Sequence, residues 1–163
     1  PFALLGFNVA AEFDLSQELG PVVTDPSQMA QVFHNLALNA AQAMNGAGKV
    51  WISARELKNA RGVEIFMRDN GLGVPADAAE RIFEPYYTTK GKGGGLGLAT
   101  AYWIVRQHGG HMELVPRREH GACFGIRLSS PPAHGSQREA PSPLANPVAY
   151  SSGKTSQPSD APS

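Results

Sequence analysis

A helix is predicted in the first third of the chain from the spacing of apolar residues. Asp25 and Pro26 are residue types that favour the N-cap and the first helical position, so the helix begins there. Asn45-Gly46 is typical of a helix end, which places the last helical residue near Met44. Its apolar stripe consists of Met29, Val32, Phe33, Leu36, Ala40 and Ala43.

Alternation of apolar and polar residues predicts strands on both sides of that helix. A short strand is expected over Val9–Phe13, and a hairpin-like pair over Val50–Leu57 and Val63–Arg68. Two further strands are expected over Met112–Val115 and Cys123–Leu128.

Two more helices complete the pattern. A short helix is predicted over about Ala76–Ile82, and a second long helix over about Leu96–His108, closed by Gly109-Gly110. Helices and strands in this order predict an α+β fold. We expect a two-layer α/β sandwich, with the helices on one face of a mixed, mostly antiparallel sheet.

Composition changes near Leu128. Residues 129–163 are rich in proline, serine and alanine, and they cannot bury enough apolar surface to offset the entropy of ordering them. We therefore predict one folded domain over 1–128, with its core at about 12–128, and a disordered tail or linker over 129–163. Because the chain begins at Pro1, we expect it to be a fragment of a longer protein.

Charge and cysteine content narrow the functional classes. Lys plus Arg and Asp plus Glu both number 14. The chain therefore lacks the surplus of basic residues that would indicate a nucleic-acid partner. The single cysteine, Cys123, cannot form an internal disulfide, which fits a reducing compartment. No apolar run reaches the roughly 18 residues of a membrane span, and no signal peptide opens the chain. Any membrane segment of the parent protein is expected outside it.

The first long helix carries amide side chains on one face. Gln31, Asn35 and Asn39 lie four residues apart, and asparagine is unfavourable in the middle of a helix. Asn39 can offer its amide oxygen to a hard divalent cation such as Mg²⁺. The helix alone leaves open a solvated face or buried structural amides.

Two glycine-containing loops are candidates for nucleotide contacts. In Asp69-Asn70-Gly71-Leu72-Gly73-Val74-Pro75, a carboxylate leaves a strand where it can accept from an exocyclic amine, although an ordinary turn is the alternative. Gly93-Gly94-Gly95-Leu96-Gly97-Leu98 opens a helix whose free amides can bind an anion, with a flexible connector as the alternative. This loop lacks the features of a P-loop or a Rossmann fingerprint.

The segment between the loops combines aromatic and basic residues. Its sequence, residues 82–90, is I-F-E-P-Y-Y-T-T-K, which indicates a flap with an aromatic anchor. Lys90 and Lys92 can reach phosphates as point charges. The alternative is that they are solvated surface lysines.

In this order, the four motifs resemble the four boxes of the histidine kinase catalytic domain, the Bergerat-type ATP-binding fold shared with gyrase and MutL. The asparagine box is similar to residues 31–44, the first glycine box to 69–75, the phenylalanine box to 82–90 and the second glycine box to 93–98. The resemblance covers about residues 12–128. The segments N-A-A-Q-A-M and Y-Y-T-T-K are most similar to the corresponding sequences of the nitrogen-regulation and dicarboxylate-sensing kinases.

The resemblance implies ATP and Mg²⁺ as ligands. It makes Asn39 the Mg²⁺ ligand, Asn35 and Lys90 the catalytic residues at the phosphates, and Asp69 the partner of the adenine amino group. Residues 83–95 would form a lid. The full set implied for ATP binding is Asn35, Asn39, Asp69, Gly71, Gly73, Val74, Ile82, Phe83, Thr89, Lys90, Gly93, Gly94, Gly95, Leu96, Gly97 and Leu98.

The chain also departs from the family pattern. Gln42 and Ala43 stand where many histidine kinases have a lysine or arginine, so that phosphate contact is absent, and Gly91 replaces a proline of the lid. The histidines lack the context of the family's phosphoacceptor: His34, His108, His111, His120 and His134. The acceptor histidine is therefore expected on a separate dimerisation domain.

The expected function is the ATP-binding catalytic domain of a two-component sensor histidine kinase. It would be cytoplasmic, on the cytoplasmic side of any membrane anchor of a homodimeric parent that serves a response regulator. A gyrase-type ATPase would need a glutamate base where Asn35 stands, and an amide cannot accept the proton. The alternative is a nucleotide-binding regulatory module, or a serine-directed anti-sigma-factor-type kinase of the same fold.

Overall fold

The computed structural model describes residues 7–58, 61–88, 95–117 and 119–130. The predicted tail from residue 131 onward lies outside these residues. The helices and strands assigned within them are, in chain order, β1 (Asn8–Leu15), α1 (Pro26–Ala43), β2 (Ala47–Glu56), β3 (Gly62–Asp69), α2 (Gly97–Gln107), β4 (His111–Leu114) and β5 (Cys123–Ser129).

The strands form one sheet in the order β1-β2-β3-β5-β4. β1 and β2 are parallel because α1 connects them as a crossover, and the other three pairings are antiparallel. The register sets Arg68 opposite Cys123, so the last residues of β3 lie beside the first residues of β5. The predicted mixed, mostly antiparallel sheet is confirmed.

The core lies between the sheet and one layer of helices. α1 contributes Val32 and Leu36, α2 contributes Val105, and the sheet contributes Val50 and Ile126, all almost fully buried. Helical spacing on α1 and period-two spacing on the strands therefore meet in a single apolar layer. Neither described helix combines the length and hydropathy that crossing a membrane requires.

Local signals position α1 as predicted. The Asp25 carboxylate accepts from the backbone N–H groups of Ser27 at 2.8 Å and Gln28 at 3.2 Å, and proline occupies the first turn. At the other end, Asn45 and Gly46 adopt positive φ and turn the chain into β2. These caps fix where α1 begins and ends, and so which of its residues face the site.

The predicted short helix over residues 76–82 is wrong. The segment is a series of turns in which Ala78 N–H donates to Pro75 O and Arg81 N–H donates to Ala78 O. Because so few residues separate the prolines at positions 75 and 85, a helix has little room to propagate. Ala78 and Ile82 are buried and hold the turns against the core.

Candidate nucleotide-binding site

A cavity of about 290 Å³ lies beside the end of β3, the C-terminal half of α1 and the start of α2. Amide, carboxylate, apolar and backbone groups line it. The lining residues are Asn35, Leu38, Asn39, Gln42, Ala43, Asp69, Gly73, Val74, Pro75, Ile82, Tyr87, Thr88, Gly95, Leu96, Gly97, Leu98 and Ala122.

Asp69 is the buried charged residue of the described chain, with 2% of its surface exposed. Its Oδ1 accepts from the backbone N–H groups of Gly71 at 2.8 Å and Ala122 at 3.1 Å. None of the hydrogen bonds described for this side chain uses Oδ2. The carboxylate is therefore held in place through one oxygen, which leaves the other for an amine donor in the cavity.

Gly121 supports Asp69 from the neighbouring strand connection. It has φ +95°, and a Cβ built on it would lie 1.9 Å from the backbone oxygen of Asp69. Asp69 N–H donates to Ala122 O at 3.0 Å, which closes the contact. Only glycine satisfies both the backbone angle and the close approach.

The two asparagines of α1 face the start of α2. Asn35 and Asn39 are both partly buried and both line the cavity, one helical turn apart. A Cβ built on Gly97 would lie 4.0 Å from Cβ and Cγ of Asn35, so side-chain bulk at residue 97 would narrow this gap. Asn35 and Asn39 of the predicted amide face are thus turned toward the glycine-rich helix start, whereas Gln31 is exposed and does not line the cavity.

The N-terminus of α2 has no side-chain cap. Leu96 occupies the N-cap position and makes no capping hydrogen bond, and the first turn contains no acidic residue. Gly97 and Leu98 of this turn line the cavity. The first-turn N–H groups and the positive end of the helix dipole could therefore bind an anion at the cavity.

The segment before the second glycine box is anchored at two points. Phe83 packs on Tyr102 of α2 and on Phe124 of β5, with ring centroids 5.1 and 6.4 Å apart. Tyr86, at φ +67°, donates its backbone N–H to Gly95 O at 3.0 Å. This bond holds together the two ends of the segment that the resemblance assigns to the lid.

A family model described as histidine kinase-, DNA gyrase B-, and HSP90-like ATPase matches residues 24–132. The chain belongs to this family. Its relatives include the sensor histidine kinase ZraS of Escherichia coli O157:H7, 40% identical over 120 residues, and the sensor kinase CckA of Brucella abortus, 36% identical over 140 residues. These alignments cover 74% and 77% of this chain but only 26% and 15% of the relatives. The chain thus spans about a quarter of the length of ZraS.

Solved structures of the same kind share the fold. The catalytic domain of histidine kinase ThkA in a nucleotide-free form has a TM-score of 0.67 at 30% identity, covering 78% of this chain and 82% of that one. Full-length ShkA in complex with AMPPNP has a TM-score of 0.64 at 29% identity, covering 74% of this chain and 25% of that one. The predicted fold and the predicted type of domain, the ATP-binding catalytic domain of sensor histidine kinases, are confirmed.

Most predicted site residues of this kinase domain meet at the cavity. Gly71 and Phe83 do not line it: Gly71 packs against Ala43, and Phe83 lies in the aromatic cluster with Tyr102 and Phe124. Four predicted residues lie outside the described part of the chain: Thr89, Lys90, Gly93 and Gly94. Lining residues absent from the predicted set are Leu38, Gln42, Ala43, Pro75, Tyr87, Thr88 and Ala122.

Some of these additional residues had a sequence signal. Leu38 and Gln42 follow Asn35 and Asn39 by three residues, so helical spacing could have placed them on the same face. Ala122 is different, because its position depends on the pairing of β3 with β5.

Positive charge at the cavity comes from the backbone rather than from described side chains. No lysine, arginine or histidine appears among the described lining residues. In the same described ranges, no group of three His, Cys, Asp or Glu side chains could hold a metal ion. A metal at this site would therefore depend on amide oxygens, on the ligand's own oxygens and on water.

Proposed function

We propose that this chain binds ATP with Mg²⁺ and transfers the γ-phosphate to a histidine on a separate domain of a sensor kinase. The observation that supports this most directly is the pairing of two features in one cavity. A buried carboxylate, Asp69, faces a site that also contains the uncapped N-terminus of α2. One group suits an adenine amine and the other suits phosphate.

The adenine end is assigned to Asp69. Oδ2 accepts a hydrogen bond from the exocyclic amine, while the two backbone bonds to Oδ1 keep the carboxylate oriented before the ligand arrives. Gly73 and Val74 line the same cavity as Asp69 and provide contact for the flat adenine ring. A purine with a carbonyl in place of that amine offers no donor, so the site selects adenine.

The phosphate end is assigned to the α1 amides and the α2 N-terminus. Asn39 would hold Mg²⁺ through its amide oxygen, and phosphate oxygens and water would supply the other ligands. When bound, Mg²⁺ neutralises charge on the phosphates. Asn35 and the N–H groups of Gly97 and Leu98 hold phosphate oxygens, and Lys90 adds a point charge.

The proposed reaction transfers the γ-phosphoryl group from the β–γ bridging oxygen of ATP to a nitrogen of the acceptor histidine. The acceptor imidazole nitrogen forms a bond to the γ-phosphorus as the bond from that phosphorus to the β–γ bridging oxygen breaks. ADP leaves with the electron pair, and the imidazole gives up its N–H proton. The chain positions the γ-phosphate for attack and stabilises the charge that develops on it in the transition state.

Asn35 separates this proposal from hydrolysis of ATP by water. The family includes gyrase-like ATPases as well as kinases, so the family match alone does not choose between them. A hydrolase needs a base to take the proton of water, whereas the Asn35 amide cannot accept it. The named relatives are sensor kinases, which favours the same choice.

Finer assignments are also part of this proposal. The matches to ZraS and AtoS of Escherichia coli agree with a kinase of the nitrogen-regulation and dicarboxylate-sensing type. Such a parent would be a homodimer with this domain in the cytoplasm, and it would pass the phosphoryl group to a response regulator. Acid lability of the product distinguishes histidine from serine as the acceptor.

Asp69→Asn tests the adenine assignment. Asparagine keeps an oxygen for the two backbone N–H groups but can present its NH₂ group to the adenine amine, so we expect loss of binding with the fold retained. Binding of a fluorescent ATP analogue and circular dichroism measure the two effects. Asp77→Asn, an exposed carboxylate outside the cavity lining, is the matched control. Unchanged binding in Asp69→Asn would refute the assignment.

The separate acceptor is tested with radiolabelled ATP. This chain alone should bind ATP with Mg²⁺ yet incorporate negligible label, whereas the full-length parent should form an acid-labile phosphoprotein. Strong labelling of the chain alone would contradict the proposal.

A further inference from the structure

A second groove lies on the face of the sheet that the helices leave open. Its volume is about 490 Å³, which falls within the range of small-molecule sites. Because side chains alternate along a strand, Trp51 of β2 faces this groove while Val50 is buried in the core. Arg68 and Met67 of β3 are divided in the same way. The groove shares no lining residue with the nucleotide cavity and is separate from it.

Two arginines at one end of the groove share a single carboxylate oxygen. Arg68 Nη2 donates to Oε2 of Glu119 at 2.8 Å, and Arg117 Nη2 donates to the same oxygen. None of the hydrogen bonds described for Glu119 uses Oε1. The Glu119 side chain is 67% exposed, whereas that of Arg117 is only 15% exposed. In the described ion pairs, two held positive charges thus share one negative charge that solvent can reach.

Each guanidinium group uses only half of one donor fork. Arg68 Nε and Arg117 Nη1 are buried and have no hydrogen-bond partner within the described part of the chain. In arginine, Nη2 forms one fork with Nε and another with Nη1, so each unpartnered atom lies beside the atom that Glu119 contacts. A carboxylate that presents both oxygens fills such a fork with two parallel hydrogen bonds. A buried donor without an acceptor is unfavourable, so a second acceptor oxygen would stabilise this end of the groove.

The middle of the groove suits an apolar group. Trp51 and Phe66 line it, and both are half-buried. The Arg68 guanidinium lies 4.6 Å from the ring centroid of Trp51, so the donor fork is next to an aromatic surface. A ligand that reaches the arginines can therefore bury an apolar body on these rings.

The opposite end of the groove is acidic. Glu12 and Asp14 line it from β1, which lies two strand spacings or about 10 Å from β3. Glu12 is paired with Lys49, whereas the exposed Asp14 would repel a second carboxylate of a long ligand. The groove therefore favours ligands with a single carboxylate.

We propose that Arg68 and Arg117 form a binding site for a small organic acid with one carboxylate and an apolar body. The acid displaces Glu119, fills the Nε and Nη2 fork of Arg68, and lays its apolar body over Trp51 and Phe66. The ligand class follows from Glu119 itself, because a carboxylate is the group that both guanidiniums bind in the structure. The site lies outside the nucleotide cavity, so this inference does not depend on the proposed function.

Binding of 3-phenylpropionate to this chain tests the site, with 3-phenylpropanamide as the matched neutral compound. Isothermal titration calorimetry should show saturable binding of the acid, roughly tenfold or more tighter than that of the amide, because only the acid fills the fork. The NMR resonance of Arg68 Nε–H should shift as this donor gains an acceptor. A saturating ATP analogue with Mg²⁺ should leave the affinity unchanged. Equal affinities for the two compounds, no binding of the acid, or competition by the nucleotide would overturn the inference.

Two substitutions should change the affinity in opposite directions. Glu119→Gln should tighten binding of the acid roughly threefold or more, because it removes the competing carboxylate. Arg117→Gln should weaken binding roughly tenfold or more. Arg81→Gln is the control, because Arg81 also pairs with a glutamate, Glu84, and stacks on a ring, Tyr87 at 4.5 Å, but does not line the groove. Circular dichroism verifies the fold of each variant. Unchanged or weaker binding in Glu119→Gln, which alters an exposed side chain, would refute the site, as would an equal loss in Arg81→Gln.

Discussion

Replacing Gly121 with alanine tests how the binding site is built. Gly121 lies in the connection between β4 and β5, and its contact with the backbone of Asp69 joins the residues before β5 to the end of β3, the neighbouring strand. If this contact positions the Asp69 carboxylate, one added methyl group should reduce nucleotide binding without touching any group that meets the nucleotide.

The expected magnitude has two parts. At φ +95° an alanine is strained, and a left-handed backbone costs a non-glycine residue about 1–2 kcal/mol. The new Cβ would also lie 1.9 Å from Asp69 O, and such overpacking typically costs a further 1–3 kcal/mol as the neighbours shift. The free energy of unfolding should therefore fall by roughly 2–5 kcal/mol. Any shift that relieves the overlap moves Asp69.

Gly109→Ala isolates the second part. Gly109 also has positive φ, +69°, but a Cβ there would meet nothing within 4 Å. This control should carry only the backbone strain, about 1–2 kcal/mol. Urea denaturation gives the unfolding free energies, and titration with a fluorescent ATP analogue gives the affinities of the variants that remain folded.

The stability and the affinity of Gly121→Ala are compared with those of Gly109→Ala. We expect Gly121→Ala to lose more stability than Gly109→Ala and to bind the analogue more weakly at temperatures where both are folded. If the two variants are equally stable and bind equally well, the close contact between Gly121 and Asp69 does not position the carboxylate.

Other predictions concern the first helix and the single thiol. Asp25→Ala should lower the free energy of unfolding measured by urea denaturation, because it removes the N-cap of α1. The Ser27 hydroxyl, followed by the Gln28 and Ser27 backbone amides, holds the pKa of Asp25 below its usual value. This cap therefore stabilises fully above the usual carboxylate pKa and is lost as the pH falls through the lowered folded pKa, so the wild type and Asp25→Ala should converge in acid. Burial raises the pKa of Cys123, so iodoacetamide at pH 8 should label it more slowly in the folded protein than in urea; equal rates would refute its burial.

Features encoded locally were predictable from the sequence. The ends of α1 follow from Asp25, Pro26 and Asn45-Gly46, whose preferences act within a few residues. Asp69 was predicted as the partner of the adenine amine from the resemblance of residues 69–75 to the first glycine box, because the loop alone also fitted an ordinary turn.

Features that depend on distant pairing were not predictable. Gly121 and Ala122 reach Asp69 only because β3 pairs with β5, and nothing in the run around residue 121 indicates that register. The prediction of a helix over 76–82 was wrong for a related reason. Alanine favours helix locally, but burial of Ala78 and Ile82 and the flanking prolines determine the observed conformation.

The two helix N-termini differ in how their first-turn amides are satisfied. α1 satisfies its first-turn amides with the Asp25 carboxylate, whereas α2 begins at Leu96 without any side-chain cap. An uncapped N-terminus costs on the order of 1 kcal/mol relative to a capped one. A ligand that supplies oxygens there recovers this energy only in the bound state, so phosphate binding and completion of the fold are linked. The proposed nucleotide, bound at Asp69 through its adenine, would thus supply the missing cap on α2 with its phosphates.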